Sequence, residues 1–295
     1  MFIRRNITIN TQIISIMNLF KVVISILRIE IYTIEECNMD NYEGFKQEVL
    51  SLTKIDLSSY KEKQMRRRID SLVTKHKCKE YHEYVMLLKN DKEVFDEFVN
   101  FLTINVSEFY RNPEQWELMS KEFIPELMKK SGQNLKIWSA ACSTGDEPYS
   151  LVMCLSQHIP LNKIKIFATD LDKQVIATAK VGLYSAKSIA NVPADLKKKF
   201  FTPVGSSFQI SDEVKRCVEF KEHNLLRDSY PTNYDMIVCR NVLIYFTDEA
   251  KTEVYDKFCK SLRTGGILFI GSTEQVIDYK ELGYKRRYSF YYEKV

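Results

Sequence analysis

The 295-residue chain predicts an α/β fold: an open, mostly parallel sheet of the Rossmann-like kind, preceded by an all-helical region and interrupted by a small β insertion. Three observations carry this. Residues 135–151, LKIWSAACSTGDEPYSL, read as a short apolar strand, a turn of small residues and a helix opening on Gly145, Asp146, Glu147 and Pro148. Apolar strands begin near residues 135, 164, 234 and 267 and alternate with helices, which is the signature of a parallel sheet. From residue 40 to about 130 the periodicity is helical throughout, without strand alternation.

Residues 1–38 differ from all that follows, being rich in isoleucine with scattered Arg4, Arg5, Lys21 and Arg28. Their longest uncharged run, residues 6–20, is short for a spanning helix and broken by polar side chains. This segment reads as an N-terminal extension, with Met39 as a candidate start. In residues 60–73 the apolar positions Met65, Ile69, Leu72 and Val73 follow i, i+4, i+7, i+8, which makes one buried stripe. Lys61, Lys63, Arg66, Arg67 and Arg68 fill the rest of that helix, as a solvated face or as a docking face for an acidic partner. Residues 94–102 form another amphipathic helix, and Pro113 marks a further helix start.

The second sheet strand, residues 164–169, ends on Asp170, and Asp172 is placed to cap the helix that follows. Between 182 and 220 the alternation lapses. Residues 195–200 read as a short helix and 208–220 alternate weakly, as expected of a small hairpin-bearing insertion. The strand at 234–239 is too apolar for a sheet edge, a helix spans 248–262, Gly265 and Gly266 stop it, and 267–270 supply the next strand. Residues 284–292 close the sheet as an antiparallel hairpin.

With 45% hydrophobic residues the chain can bury a proper core, and 43 basic against 39 acidic residues leave a net charge of only +4. Overall charge therefore does not call for nucleic acid. Seven cysteines without a C-x-x-C pair and four unclustered histidines give neither a disulfide framework nor a metal site, and point to a reducing, cytoplasmic setting.

A parallel sheet brings its strand ends to one rim, so Glu147, Asp170 and Asn224 must converge on one crevice. The turn before Glu147 holds a single glycine rather than G-x-G-x-x-G, which disfavours a pyrophosphate and favours a nucleoside without phosphates. Asp170 then holds a ribose, Asn224 and Leu225 lie along an adenine, and Glu147 meets a cationic amino group. Those requirements describe S-adenosylmethionine (SAM).

From about residue 40 to the end, the chain resembles the CheR family of chemotaxis receptor methyltransferases. The blocks INVSEFYRN, WSAACSTGDEPYS, FATDLD, VEFKEHNLL and CRNVLIYF stand in the family's order and approximate spacing. The resemblance implies a class I methyltransferase fold and a SAM-dependent glutamate O-methyltransferase, with S-adenosylhomocysteine as product. Its acceptors would be glutamates on the cytoplasmic helices of methyl-accepting chemoreceptors. It implies cofactor contacts at Asn105, Ser107, Arg111, Glu147, Asp170, Asn224, Leu225, Arg240 and Asn241, with Arg111 and Tyr245 beside the reacting methyl. Ser107 stands where better-known members have threonine, which keeps the hydroxyl. The basic helix carrying Lys61, Lys63, Arg66, Arg67 and Arg68 corresponds to the receptor-facing region. The β insertion corresponds to a subdomain that captures a receptor tail in some members, although the hairpin at 204–209 is shorter here.

The expected division is an extension at 1–38, a helical domain at 39–130 and a methyltransferase domain at 131–295 with its β subdomain near 201–220. A monomer recruited to membrane receptor arrays, with neither nucleic acid nor stable membrane insertion, completes the expectation. Two rivals stand beside it: a class I methyltransferase acting on RNA or a small molecule, and a receptor-binding module that has lost catalysis.

Overall fold

The polar termini of the helices and the apolar runs of the strands sort the chain into two packed bodies, seen in a computed structural model that describes residues 41–295. The extension at 1–38 and the candidate start at Met39 lie outside the described residues.

Four helices form the first body: α1 (Tyr42–Thr53), α2 (Glu62–Lys75), α3 (Tyr81–Asn90) and α4 (Lys92–Thr103). Each buries one stripe, and that of α2 is the predicted Met65, Ile69, Leu72 and Val73. They close on Phe45, Val49, Tyr84 and Phe98, all at most 1% exposed. Asp91 starts α4 by accepting hydrogen bonds from the Glu93 and Val94 amides at 2.8 and 3.2 Å, which satisfies amides that have no partner within the helix.

A strained connection, with Ile104, Tyr110 and Asn112 all left-handed, leads to α5 (Pro113–Leu118), a π turn at Met119–Phe123, and α6 (Ile124–Ser131). The sheet follows. Its strands are β1 (Ile137–Ala140), β2 (Ile166–Asp170), β6 (Val218–Glu222), β7 (Tyr234–Cys239), β8 (Leu262–Ile270), β9 (Tyr284–Tyr288) and β10 (Tyr291–Lys294). Their spatial order is β6-β2-β1-β7-β8-β10-β9, parallel except at β10 and β9. Helices α7 (Asp146–Leu155), α8 (Lys173–Val181) and α11 (Asp248–Ser261) provide the crossovers. Alternate residues of β1, β7 and β8 feed two cores, one built on Ile137, Val238 and Phe269, the other on Trp138, Ile237 and Leu268. Strand order departs in opposite directions on the two sides of β1, so the crevice between the carboxyl ends of β1 and β7 is the switch point where such sheets bind ligands.

The helical body ends at Thr103 rather than at 130, because Trp116, Phe123 and Leu127 pack into the core of the sheet, and two expectations within the sheets shift. The weak alternation at 208–220 belongs to two different sheets. Residues Leu183–Ser185 (β3), Phe201–Val204 (β4) and Ser207–Ile210 (β5) make a separate sheet in the order β3-β5-β4, with a short helix α9 (Ala194–Phe200) between β3 and β4. After a single turn, α10 (Asp212–Lys215), Phe220 already lies in β6, whose pairing with β2 makes it the edge of the main sheet. An edge strand with a wetted face alternates, and that alternation mimicked part of a hairpin. The β subdomain therefore spans residues 183–210 rather than 201–220.

The second shift concerns Gly265 and Gly266, which do not stop α11. The helix ends at Ser261, and β8 starts at Leu262 and runs through both glycines. Its register with β7 slips between Tyr234 and Met236. A Cβ at Gly266 would lie 2.9 Å from the Arg263 carbonyl and 3.0 Å from that of Tyr234, so the glycine admits a close backbone approach.

The two bodies are joined at the rim of the sheet. Tyr60 forms an antiparallel bridge with Phe246, flanked by Lys61 N–H to Tyr245 C=O and Thr247 N–H to Ser59 C=O, both 2.9 Å. Asp172 supplies the second joint: one oxygen caps α8, accepting from the Gln174 amide at 2.8 Å, and the other accepts from Asn100, Thr103 and Asn105 at 3.0–3.3 Å. Among the described residues, no helix is long and apolar enough to cross a membrane. Replacing Asp172 with Ala removes a cap and the acceptor for three side chains, and is expected to destabilise the protein by about 2 to 4 kcal/mol. Urea unfolding followed by circular dichroism measures this.

Candidate active site

The loop after β1 begins the site. Ala141 and Ser143 are left-handed, which turns the chain sharply enough for α7 to start at Asp146 with Glu147 in its first turn. Asp170, at the end of β2, is 6% exposed and spans the gap between loops: Oδ2 accepts from Ser143 N–H at 2.8 Å and Oδ1 from Asp172 N–H at 3.0 Å. Burial pushes its carboxyl up to about 6, against the pull of those amide hydrogen bonds. Glu147 accepts from Ser139 Oγ at 2.8 Å. Burial raises its carboxyl to about 7, opposed chiefly by the positive charge of Arg240 and reinforced by the negative charge of Glu274.

These groups line one open cleft of about 960 Å³, counting its solvent-open mouth. All ten candidate residues read from the sequence border it: Asn105, Ser107, Arg111, Glu147, Asp170, Asn224, Leu225, Arg240, Asn241 and Tyr245. Asn105, Asn224 and Arg240 are also engaged with the protein itself. The Asn105 amide donates to Asp172 and Thr103. Asn224 donates to the Lys54 carbonyl at 3.2 Å and accepts from Leu226 N–H at 3.0 Å, so it shapes the rim. Arg240, 8% exposed, lies over the Phe269 ring and donates to the Arg111 carbonyl and Asn112 Oδ1 at 2.8 and 3.0 Å. Burial lowers the pKa of its guanidinium, while Glu147 opposes that shift. The Arg111 side chain makes one long bond to the Val106 carbonyl, 3.4 Å.

The basic residues of α2 and its N-cap differ in exposure. Lys61, Lys63 and Arg67 are exposed, whereas Arg66 packs on the Tyr42 ring and Arg68 lies 4.2 Å over the Phe101 ring and donates to the Phe101 carbonyl.

Sequence reasoning missed two contributors. Tyr60, from the segment before α2, walls the cleft, and burial together with the charge of Asp170 raises its hydroxyl pKa well above the ordinary phenol. Glu274, after β8, accepts hydrogen bonds from four backbone amides beneath Asn241. Neither has a motif of its own. The available signal for Glu274 was an acidic residue three positions after the glycine that ends an apolar strand.

A mostly parallel sheet with an open cleft at its switch point and Asp170 at the end of β2 is the arrangement found in class I methyltransferases. Residues 40–103 match the all-alpha domain of CheR methyltransferases and residues 105–289 match their SAM-binding domain. A chemotaxis protein methyltransferase of Listeria innocua is 41% identical over 240 residues, covering 81% of this chain and 92% of the relative. One from Borreliella burgdorferi is 31% identical over 243 residues, covering 78% and 86%. The chain belongs to the CheR methyltransferase family, and its cofactor is SAM. The cleft fits such a ligand, because Ser143 Oγ and Asn241 Oδ1 are buried in its lining without a hydrogen-bond partner in the protein.

A positively charged ligand seated against Glu147 and Asp170 would favour their ionised forms. With carboxyls raised to about 7 and about 6, affinity for SAM should be full above pH 8 and fall as pH drops through 7 to 6, with proton release on binding. Calorimetry in buffers of different ionisation enthalpy measures both the affinity and the proton count.

Proposed function

We propose that this methyltransferase esterifies glutamate side chains on the cytoplasmic helices of chemoreceptors. The observation that carries the proposal is the cleft itself: it holds acidic groups for a cationic cofactor, Arg240 beneath them and Arg111 at the rim, and no general base is needed. A glutamate has a reference pKa of about 4.3, so the acceptor arrives already ionised at neutral pH. When bound, SAM supplies an electrophilic sulfonium methyl.

The chain's own residues then position and desolvate. Asp170 offers the ribose an acceptor held rigid by two backbone amides. Glu147 faces the amino end of the cofactor, and its cost of ionisation in the buried cleft is offset by that cation and by Arg240. Arg111 orients the incoming carboxylate by charge-assisted hydrogen bonds. Tyr245, in a 3₁₀ turn tied to Lys61, limits water around the reacting atoms. Removing water assists because the transition state disperses opposite charges, and orientation contributes up to about 7 to 11 kcal/mol in favourable systems. Lys61, Lys63 and Arg67 offer the receptor's acidic helices an exposed basic face, which serves to steer the encounter.

The direct test is transfer of labelled methyl groups from SAM to receptor-enriched membranes, followed by alkaline release of methanol. Absence of base-labile label would overturn the reading. Two variants separate the roles. Arg111→Ala should lower kcat about 100-fold or more at saturating SAM and receptor, as expected for a residue that orients the acceptor. Asp170→Asn should weaken SAM binding by about 1 to 3 kcal/mol, measured by calorimetry, while leaving the choice of acceptor unaltered.

A further inference from the structure

Glu274 lies on the turn that follows β8 and is 7% exposed, and every polar contact of its carboxylate is a backbone N–H. Oε2 accepts from Gly271 and Asn241 at 2.7 and 2.8 Å, and Oε1 from Val242 and Leu243 at 3.0 and 2.8 Å. Three of those amides are consecutive and belong to the loop after β7, which carries Asn241 and, two residues past Leu243, Tyr245. Without this acceptor the loop would bury three amides that neither sheet nor helix could satisfy.

The gathering has visible consequences. Asn241 is held left-handed at φ 61°, and its Oδ1 is buried in the cleft lining without a protein partner, while Nδ2 reaches Thr273 at 3.3 Å. The approach is so tight that a Cβ on Gly271 would lie 2.6 Å from the Asn241 nitrogen and 2.7 Å from Glu274 Oε2. A buried carboxylate is costly, and a neutral turn could have ended β8. Here the charge is spent on the loop that borders the reaction.

We propose that Glu274 is a positioning residue for methyl transfer, which sets Asn241 and Tyr245 against the cleft by binding the amides of their loop. It touches neither cofactor nor acceptor. The inference rests on the family's reaction and on the acceptor proposed above. Its charge also adds to the field on Glu147, against Arg240 and Arg111, with the Ser139 hydroxyl, the Cys142 thiol and Asp170 as the other groups nearby.

The test uses E274Q and E274D in the full chain. Glutamine presents one oxygen and one NH2, so at least one pair of amides loses its acceptor and faces a donor instead. Aspartate keeps the charge but is one methylene too short to reach both pairs. Both should lower kcat per folded molecule about tenfold or more, the scale of a sub-ångström to ångström misplacement, with a smaller change in KM for the receptor fragment. Only E274Q should move the pH midpoint of S-adenosylhomocysteine binding downward, because only it removes charge. Thermal melts normalise each rate to the folded fraction. If E274Q is too unstable to assay, E274D alone decides the kinetic half.

Wild-type kcat per folded molecule in the assayed variants, or equal pH midpoints for E274Q and E274D, would overturn the proposal. Wild-type protein that forms no methyl ester on the receptor fragment would instead overturn the acceptor assignment, and the binding midpoints would still report on Glu274.

Discussion

One carboxylate, that of Asp172, divides its two oxygens between two tasks on which the site depends. The first begins α8, so that β2 ends where it does and Asp170 faces the cleft. The second collects Asn100, Thr103 and Asn105 from the end of α4 and the connection after it. Because Asn105 is fixed in this way, the residues that follow, Ser107 and Arg111, enter the cleft from a defined direction. At 2% exposure the interaction is shielded from water, so each hydrogen bond to the charged oxygen is stronger than it would be at the surface.

The cleft is an arrangement of carboxylates taken out of water, and their differing surroundings give them different duties. Asp170 is restrained by backbone amides and its carboxyl is raised to about 6, whereas Glu147 has a hydroxyl and a more distant arginine and is raised to about 7. Arg240 balances this charge from below. Its guanidinium, wedged against Phe269 and bonded to the Arg111 carbonyl, also connects the sheet floor to the loop that carries Arg111. Burial raises both carboxyls, and a cationic ligand in the cleft would favour their ionised forms.

Much of this was legible in the sequence. The stripe of α2, the cap at Asp172 and the convergence of Glu147, Asp170 and Asn224 follow from periodicity, capping chemistry and the rule that parallel strands end on one rim. What escaped had a common cause, namely partners far apart in sequence. Tyr60 reaches the cleft only because it bridges to Phe246, and Glu274 matters only because three amides lie 31 to 33 positions away. The edge strand β6 was misread because wetted alternation looks alike in a hairpin and at a sheet margin. Gly265 and Gly266 were misread because glycine ends helices more often than it eases two strands past one another. Arg68 looks on a helical wheel like its basic neighbours, and only the neighbouring Phe101 turns it inward.

The bridge between Tyr60 and Phe246 bears on how the family can change. The two recognisable modules meet at residues 103–105, yet the wall of the binding cleft crosses that border, with Tyr60 and Leu102 on one side and Phe246 and Leu225 on the other. A chimera joined at the border would inherit mismatched halves of a single pocket unless residues 54–61 travelled together with the loops at 224–228 and 241–247. The helical module and the catalytic module thus share one wall, and neither supplies a complete pocket without the other.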